Sequence, residues 1–463
     1  MSRGVVDLGF DLGTTVTKVT ALAVDGSPRG DLSIPTQWHA LGHGRCERDP
    51  AEVVGAVENL LGGISAMLGA GTTIRSIGFT SMAEAGVLVD VDGTDRSPVI
   101  AWHDPRGADQ AAKLSPDLND AFPAYTGLPV SHVASLFKIA WMRENGLDLR
   151  GLQWLSVPEY AILRLGGRRV GELSLLGRTG LLDIHTNQPW APALKHLGVD
   201  TSFLPDIVGA GTPAGTVRGD HPVAAARGAV LTVAGHDHAV AAAATGCGVP
   251  GSALDSFGTA EAYVAAAGHV PGPNTVRELC LHGISVYPHV VRGVTGFIGA
   301  TRTGLVLQRV QRALGAEHEP ARSELDRAAL ALPEGSASDV RITGYAMSDS
   351  EVSIGLFSDA HTPAHIWRAA IDGGTAHGQR LLGRLRDAGV QVDRLVVTGG
   401  WTHRAAILAA RRRLAPTVEE SPLDQAGTHG AARIASWAAG AEDGTGGDRR
   451  PPASWFVNVW TPP

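Results

Sequence analysis

The sequence predicts an α/β fold built as two halves with a cleft between them. Strand-like and helix-like segments alternate along the chain, and a Gly-Thr turn in a strand–turn–strand setting opens each half, at Gly13-Thr14 and at Gly258-Thr259. A length of 463 residues, about three times that of an ordinary domain, leaves room for two lobes. The expected units are residues 1–245, residues 246–440 and a Gly/Pro-rich tail over 441–463.

The opening residues run from Met1 into two β-prone segments, Val5 to Asp11 and Val16 to Asp25, joined by Leu12-Gly13-Thr14-Thr15. Asp49-Pro50-Ala51-Glu52 then supplies an N-cap, a proline at the first helical position and a capping-box glutamate ahead of Val53, Val57, Leu60, Leu61 and Ile64. Strands are expected over Ile74 to Thr80 and Val87 to Val91, and helices over Val133 to Glu144 and Pro158 to Leu165. The second half repeats the pattern. Ala229 to Val233 reads as a buried strand, Asp237 opens an Ala-rich helix, and Ala253 to Phe257 leads into Gly258-Thr259-Ala260-Glu261. A long helix runs from Thr362 through Leu385, and a strand over Arg394 to Val397 ends at Gly399-Gly400. Residues 441–453 read as a flexible linker to an aromatic tail, Trp455 to Trp460.

Composition narrows the partners. Lys and Arg number 39 against 46 Asp and Glu, a net charge of −7, which gives no electrostatic footprint for nucleic acid or anionic lipid. No apolar stretch of the roughly 18 residues that span a bilayer is expected, and the N-terminus lacks a signal-peptide core. Cys46, Cys247 and Cys280 are odd in number and far apart, which points to neither a disulfide framework nor a zinc site and fits a cytoplasmic protein.

A strand, Asp11-Leu12-Gly13-Thr14-Thr15, and a second strand carrying Lys18 offer what a phosphate cradle needs: close backbone approach, hydroxyl donors and a carboxylate for Mg²⁺. Alone, the segment reads first as an ordinary hairpin turn; two such turns in separate halves favour a nucleotide held between lobes. Asp237, in Gly235-His236-Asp237-His238, sits at a strand-to-helix junction, where a phosphoryl-transfer base would be rigidly held, although an aspartate there also serves as an N-cap. His236 and His238 are expected to point apart rather than to form a metal pair. His103 reads as a satisfied polar residue rather than a ligand.

The order of motifs resembles the FGGY carbohydrate kinases, ATPases of actin-like architecture built from two ribonuclease-H-like domains. Gly9 to Thr15 with Lys18 is similar to the family's first phosphate motif and Asp255 to Glu261 to its second. Trp102-His103-Asp104-Pro105-Arg106 resembles a Trp-x-Asp-x-Arg segment, Lys138 to Asn145 and His365 to Asp372 resemble family signatures, and Val397-Thr398-Gly399-Gly400 resembles the adenosine motif. The resemblance implies ATP and Mg²⁺ as cofactors and phosphorylation of a small sugar or polyol, a pentulose or hexulose being favoured. It implies Asp237 as general base and Asp11 as the metal-positioning carboxylate. Gly13, Thr14, Thr15, Lys18, Gly258, Thr259, Gly399 and Gly400 are the phosphate and nucleotide residues, and Glu84, Trp102, Asp104 and Asp237 the substrate residues. Oligomeric state is left open, a homodimer included. Three departures fall on ligand contacts: Met82-Ala83-Glu84 matches neither the xylulose nor the glycerol pattern, a Gly-Glu-Arg-x-Pro segment is missing near Gly344 to Ser353, and Trp401-Thr402-His403-Arg404 replaces small and amide residues. They support the alternative of a weakly active or inactive sugar or nucleotide sensor of the same fold. An actin-like ATPase acting on a protein partner is a third alternative.

Overall fold

The computed structural model describes residues 4–356, 358–440 and 448–457. Two six-stranded sheets form the two lobes. In the first, Val5–Leu12 pairs antiparallel with Val16–Ala23, which pairs antiparallel with Pro28–Pro35. On its other side Val5–Leu12 pairs parallel with Thr73–Ser81, itself parallel to Val230–His236. In the second, Gly251–Phe257 pairs antiparallel with Glu261–Ala267 and then Thr295–Thr301, and parallel on its other side with Val392–Thr398, which adds Thr417–Glu420 in parallel. The two sheets therefore repeat one plan, a meander on one side of the first strand and parallel additions on the other. Sequence periodicity does not expose this repeat, because long insertions separate equivalent strands.

Local chemistry accounts for the elements. Helix Pro50–Leu68 begins as its capping box requires: Asp49 accepts from the Ala51 N–H at 2.8 Å and Glu52 accepts from the Asp49 N–H at 3.0 Å. Its apolar stripe packs on strands Val16–Ala23 and Pro28–Pro35. By length and composition this helix is apolar enough to cross a bilayer, which corrects the expectation that no such stretch exists.

The division expected at residue 440 does not describe the packing. Helix Ala426–Gly440 leaves the second sheet and lies on the first, against Val5–Leu12 and Thr73–Ser81, beside helix Asp237–Ala244. The physical reason is a pair of glycines: a Cβ on Gly9 would stand 2.0 Å from the Thr428 carbonyl oxygen, and one on Gly78 2.3 Å from that of Ala431. Only a bare backbone lets the helix approach so closely. Thr20 and Thr428 exchange a 2.6 Å hydroxyl hydrogen bond across the same contact.

The tail also differs from expectation. Residues 441–447, read as linker, and 458–463, which include Trp460, lie outside the described residues. Between them the chain is docked, not free. Arg450 donates to the His289 carbonyl at 2.7 Å, the Arg292 N–H donates to the Pro451 carbonyl at 3.0 Å, and the indole N–H groups of Trp437 and Trp455 donate to the carbonyls of Arg449 and Arg433. Phe456 is buried in a cluster with Val240, Val290 and Ile434, so these residues join the 289–292 turn of the second lobe to the helix on the first.

Gly78→Val is expected to lower the melting temperature sharply by pushing helix Ala426–Gly440 off its sheet. Gly55→Ala, in helix Pro50–Leu68 where an added Cβ meets nothing within 4 Å, should stabilise by about 1 kcal/mol through helix propensity. Thermal unfolding of the two variants checks both signs.

Candidate active site

Strand Val230–His236 turns into helix Asp237–Ala244 through Gly235, whose φ of +115° suits a residue without a side chain. Thr80 Oγ1 donates to the Gly235 carbonyl at 2.6 Å, and Ser174 Oγ accepts from the His236 N–H at 2.9 Å while donating to buried Glu172. This frame fixes Asp237 at the first turn of a helix that runs between the two sheets. Contrary to expectation, the flanking histidines converge. The His238 N–H and Nδ1 lie 2.6 and 2.9 Å from Asp237 Oδ1, and His236 Nε2 lies 3.1 Å from the same oxygen. The ligand atoms of the three residues lie within 4.8 Å of one another. Both His238 contacts are hydrogen bonds to the carboxylate oxygen, and the His236 ring nitrogen stands within ion-pair distance of it. Burial works to raise the Asp237 pKa, but His238 and His236 outweigh it and bring it down to about 2. Burial holds His236 down at about 4, hence neutral near pH 7.

On one side of Asp237 lies a cluster of buried polar side chains. Glu84, expected as a substrate residue, is buried, and its Oε1 accepts from Arg178 Nε at 2.8 Å and lies 2.6 Å from Nη2. Burial alone would raise the Glu84 pKa; Arg178 and His236 reverse the shift and lower it. Arg178 was not anticipated, although a lone charge inside the apolar run Leu175 to Leu182 was the available signal. Arg178 Nη1, His236 Nδ1 and Tyr287 Oη are buried with no protein partner among the described residues, and the Tyr287 ring lies 5.4 Å from that of His236 and 5.9 Å from the Arg178 guanidinium. Buried polar groups left without partners are what a polyhydroxylated ligand can satisfy. Trp102 is half-buried and its indole N–H donates to Thr14 Oγ1 at 3.1 Å. Lys138, from the expected signature, donates to the carbonyls of Trp102, His132 and Val133 and so fixes that loop.

Two expectations change here. Asp104 is fully buried and its carboxylate is consumed by the Arg106 N–H and guanidinium and by the Cys46 N–H, which leaves nothing for a substrate; it shapes the loop behind Trp102. The Thr14 hydroxyl, expected at a phosphate, is taken up within the protein: it accepts from the Trp102 indole N–H and donates to Met82 Sδ at 3.4 Å.

On the other side of Asp237 the lobes flank a solvent-open chamber of about 230 Å³ lined by Asp11, Lys18, Asp237 and His238 from one lobe, Ser256, Thr398 and Gly399 from the other, and Asp424 to Gly427. Lys18 Nζ donates to Gln425 Oε1 at 2.9 Å. Asp11 Oδ1 is buried without a partner; burial, then Asp237, raises its pKa to about 7 against the pull of Lys18 and His238. Gly13 has Val16 O only 2.7 Å from where a Cβ would stand, and Thr15 is exposed beside it. A second cavity gathers Gly258, Thr259 and Gly400 with Gln308, Gln311, Arg322, Trp401 and Arg404. A Cβ on Gly400 would meet nothing, while Gly399, at φ +105°, is packed against the Phe257 backbone. Trp401, one of the departures, fills space between the Phe257 and Trp367 rings, at 6.3 and 6.1 Å.

Comparison with known proteins agrees with this architecture. The chain is 27% identical to an L-fuculokinase of Salmonella typhi over 343 residues, 72% of this chain and 70% of that one. A xylulose kinase from Rhodospirillum rubrum superposes with a TM-score of 0.84 at 23% identity over 98% of this chain and 96% of that one. A Plasmodium falciparum glycerol kinase with ADP superposes with a TM-score of 0.84 at 20% identity over 96% and 91%. These likenesses show the actin-like, two-lobed fold. Residues 6–244 match the N-terminal domain of the FGGY family of carbohydrate kinases, and with more than half the chain matched, the protein belongs to that family.

Proposed function

We propose that the enzyme transfers the γ-phosphoryl group of ATP to a hydroxyl of a small sugar or polyol, a ketose such as a pentulose or hexulose being favoured. The observation that carries this reading is Asp237, whose Oδ1 accepts two hydrogen bonds from His238 and lies 3.1 Å from His236 Nε2, with no hydrogen bond to Oδ2 from the described residues, on the wall of the chamber and beside His236. Oδ2 takes the proton of the acceptor hydroxyl while Oδ1 stays clamped. Glu84, Arg178 and Trp102 line the acceptor side, and the Gly13 and Thr15 backbone, Lys18, Gly258, Thr259, Gly399 and Gly400 the donor side.

Asp11 fits Mg²⁺: a buried carboxylate oxygen with no protein partner is a hard oxygen donor of the type that ion takes. Bound there, Mg²⁺ supplies charge neutralisation for the transferring phosphates. The sensor alternative is favoured by one observation, that Trp401 and Arg404, where the sequence departs from the family pattern, line the cavity with Gly258, Thr259 and Gly400. ADP release measured against a panel of pentuloses, hexuloses, aldoses and polyols separates the two: acceptor-dependent release establishes the kinase, and none with any acceptor favours the sensor.

Asp237→Asn should lower kcat by about 10²–10⁴-fold with acceptor affinity largely kept; steady-state kinetics with binding calorimetry checks this. Glu84→Gln should raise KM for the acceptor by about tenfold or more, since it leaves Arg178 buried without its counter-charge. Acceptor-free ATP hydrolysis should stay near wild type in that variant.

Asp11→Asn has a pH signature. A carboxyl whose pKa is about 7 when folded and near 3.8 when unfolded keeps its proton in the folded state, so stability falls as pH rises between those values. The asparagine variant should therefore melt higher than wild type at pH 8, match it near pH 3.5, and lose turnover; melting curves across pH check the sign.

A further inference from the structure

Outside the roles already assigned, one chamber-lining side chain has its reactive edge unaccounted for. His238 shares the chamber with Asp11, Lys18, Gly399 and Gln425. Its Nδ1 is 2.9 Å from Asp237 Oδ1, so that nitrogen carries a proton and the ring is fixed in orientation. The opposite edge, Nε2, has no hydrogen-bond partner among the described residues, and about a third of the side chain, 34%, is exposed. The ring cannot retreat, because His236 stands behind it at 5.4 Å, itself backed by Tyr287.

We propose that His238 is a second catalytic residue, whose Nε2–H meets the phosphoryl group as it passes from donor to acceptor. The inference rests on the kinase reading above. In the step, the acceptor oxygen bonds to phosphorus as the bond between phosphorus and the β,γ-bridging oxygen breaks. The hydroxyl proton goes to Asp237 Oδ2, the bridging electron pair leaves with ADP, and His238 keeps both its protons throughout. One carboxylate thus serves two tasks: Oδ2 receives the proton, and Oδ1 sustains the imidazolium that stabilises the charge on the phosphoryl oxygens.

The surroundings favour the cation. Asp237 and Glu84 face His238 as carboxylates, Asp11 lines the same chamber but is pushed toward neutrality, Arg178 and Lys18 oppose them, His236 is neutral, and Asp424 lines the chamber from the second lobe. Burial works to lower the His238 pKa, but Asp237 outweighs it and the net shift is upward.

The test compares binding of ADP and of β,γ-imido-ATP, each with Mg²⁺, by calorimetry between about pH 6 and 9. Wild type should favour the triphosphate analogue at low pH. His238→Gln should lose about tenfold of that preference there while ADP affinity is kept, and wild type should converge on the variant as pH rises. His238→Lys should hold the preference to higher pH. An imido-ATP to ADP ratio in His238→Gln that equals wild type at every pH overturns the proposal and leaves His238 as a brace for Asp237. If wild type binds neither nucleotide, the kinase reading fails first and this proposal with it.

Discussion

Everything in the site depends on a backbone contact made far from it. Gly9 and Gly78, in adjacent parallel strands of the first sheet, let helix Ala426–Gly440 approach to distances at which any side chain would collide with a peptide group. That helix begins at the chamber, where Gln425 accepts from Lys18 and Gly427 stands against Asp11. The depth at which it sits on the first sheet therefore sets the spacing between the carboxylate of one lobe and the loops of the other. Interiors are packed too densely for that spacing to drift.

On this frame the electrostatics are divided sharply within a few residues. Asp11 is pushed toward neutrality and Asp237 is held ionised, although both are carboxylates lining one chamber. The difference is in their donors. Asp237 Oδ1 accepts from the His238 N–H and imidazole and lies 3.1 Å from the His236 ring, whereas the buried Asp11 Oδ1 has no partner among the described residues. Two carboxylates a short distance apart are thus held in opposite protonation states by their surroundings. The second lobe contains a comparable economy in its core: Arg411 lies between Asp255 and Glu261, with Tyr263 and Thr301 completing Glu261, immediately behind the Gly258-Thr259 turn.

Much of this was legible in the sequence where short-range chemistry decides it. The capping box at Asp49, the hairpin at Gly13, the strand end before Asp237 and the Gly-Thr turn at 258 are each local signals, and the elements form there. What could not be read required distant partners. Glu84 gives no sign that its partner is Arg178, 94 residues away. Asp104 looks like a free acid until Arg106 folds back on it, and Thr14 looks like a phosphate ligand until Trp102 and Met82 approach from elsewhere in the chain. The convergence of His236 and His238 follows from the twist at Gly235, a backbone angle that residue types alone do not specify. The tail misled for a related reason: its composition is that of a linker, while Arg450 and Phe456 find places prepared by residues 209–211, 289–292 and 433–437.

The return of the last helix to the first sheet has a consequence for biosynthesis. Strands Val5–Leu12, Thr73–Ser81 and Val230–His236 leave the ribosome well before residues 426–440, so one face of the first sheet waits, uncovered, while the whole second lobe is made. The contacts that cover it are among the most distant in the chain, and such contacts form slowly and expose apolar surface meanwhile. The first lobe cannot mature as an independent vectorial unit. Ribosomal pausing or premature termination anywhere in the second half leaves a nascent chain with a bare sheet face, a form suited to chaperone capture and prone to aggregate.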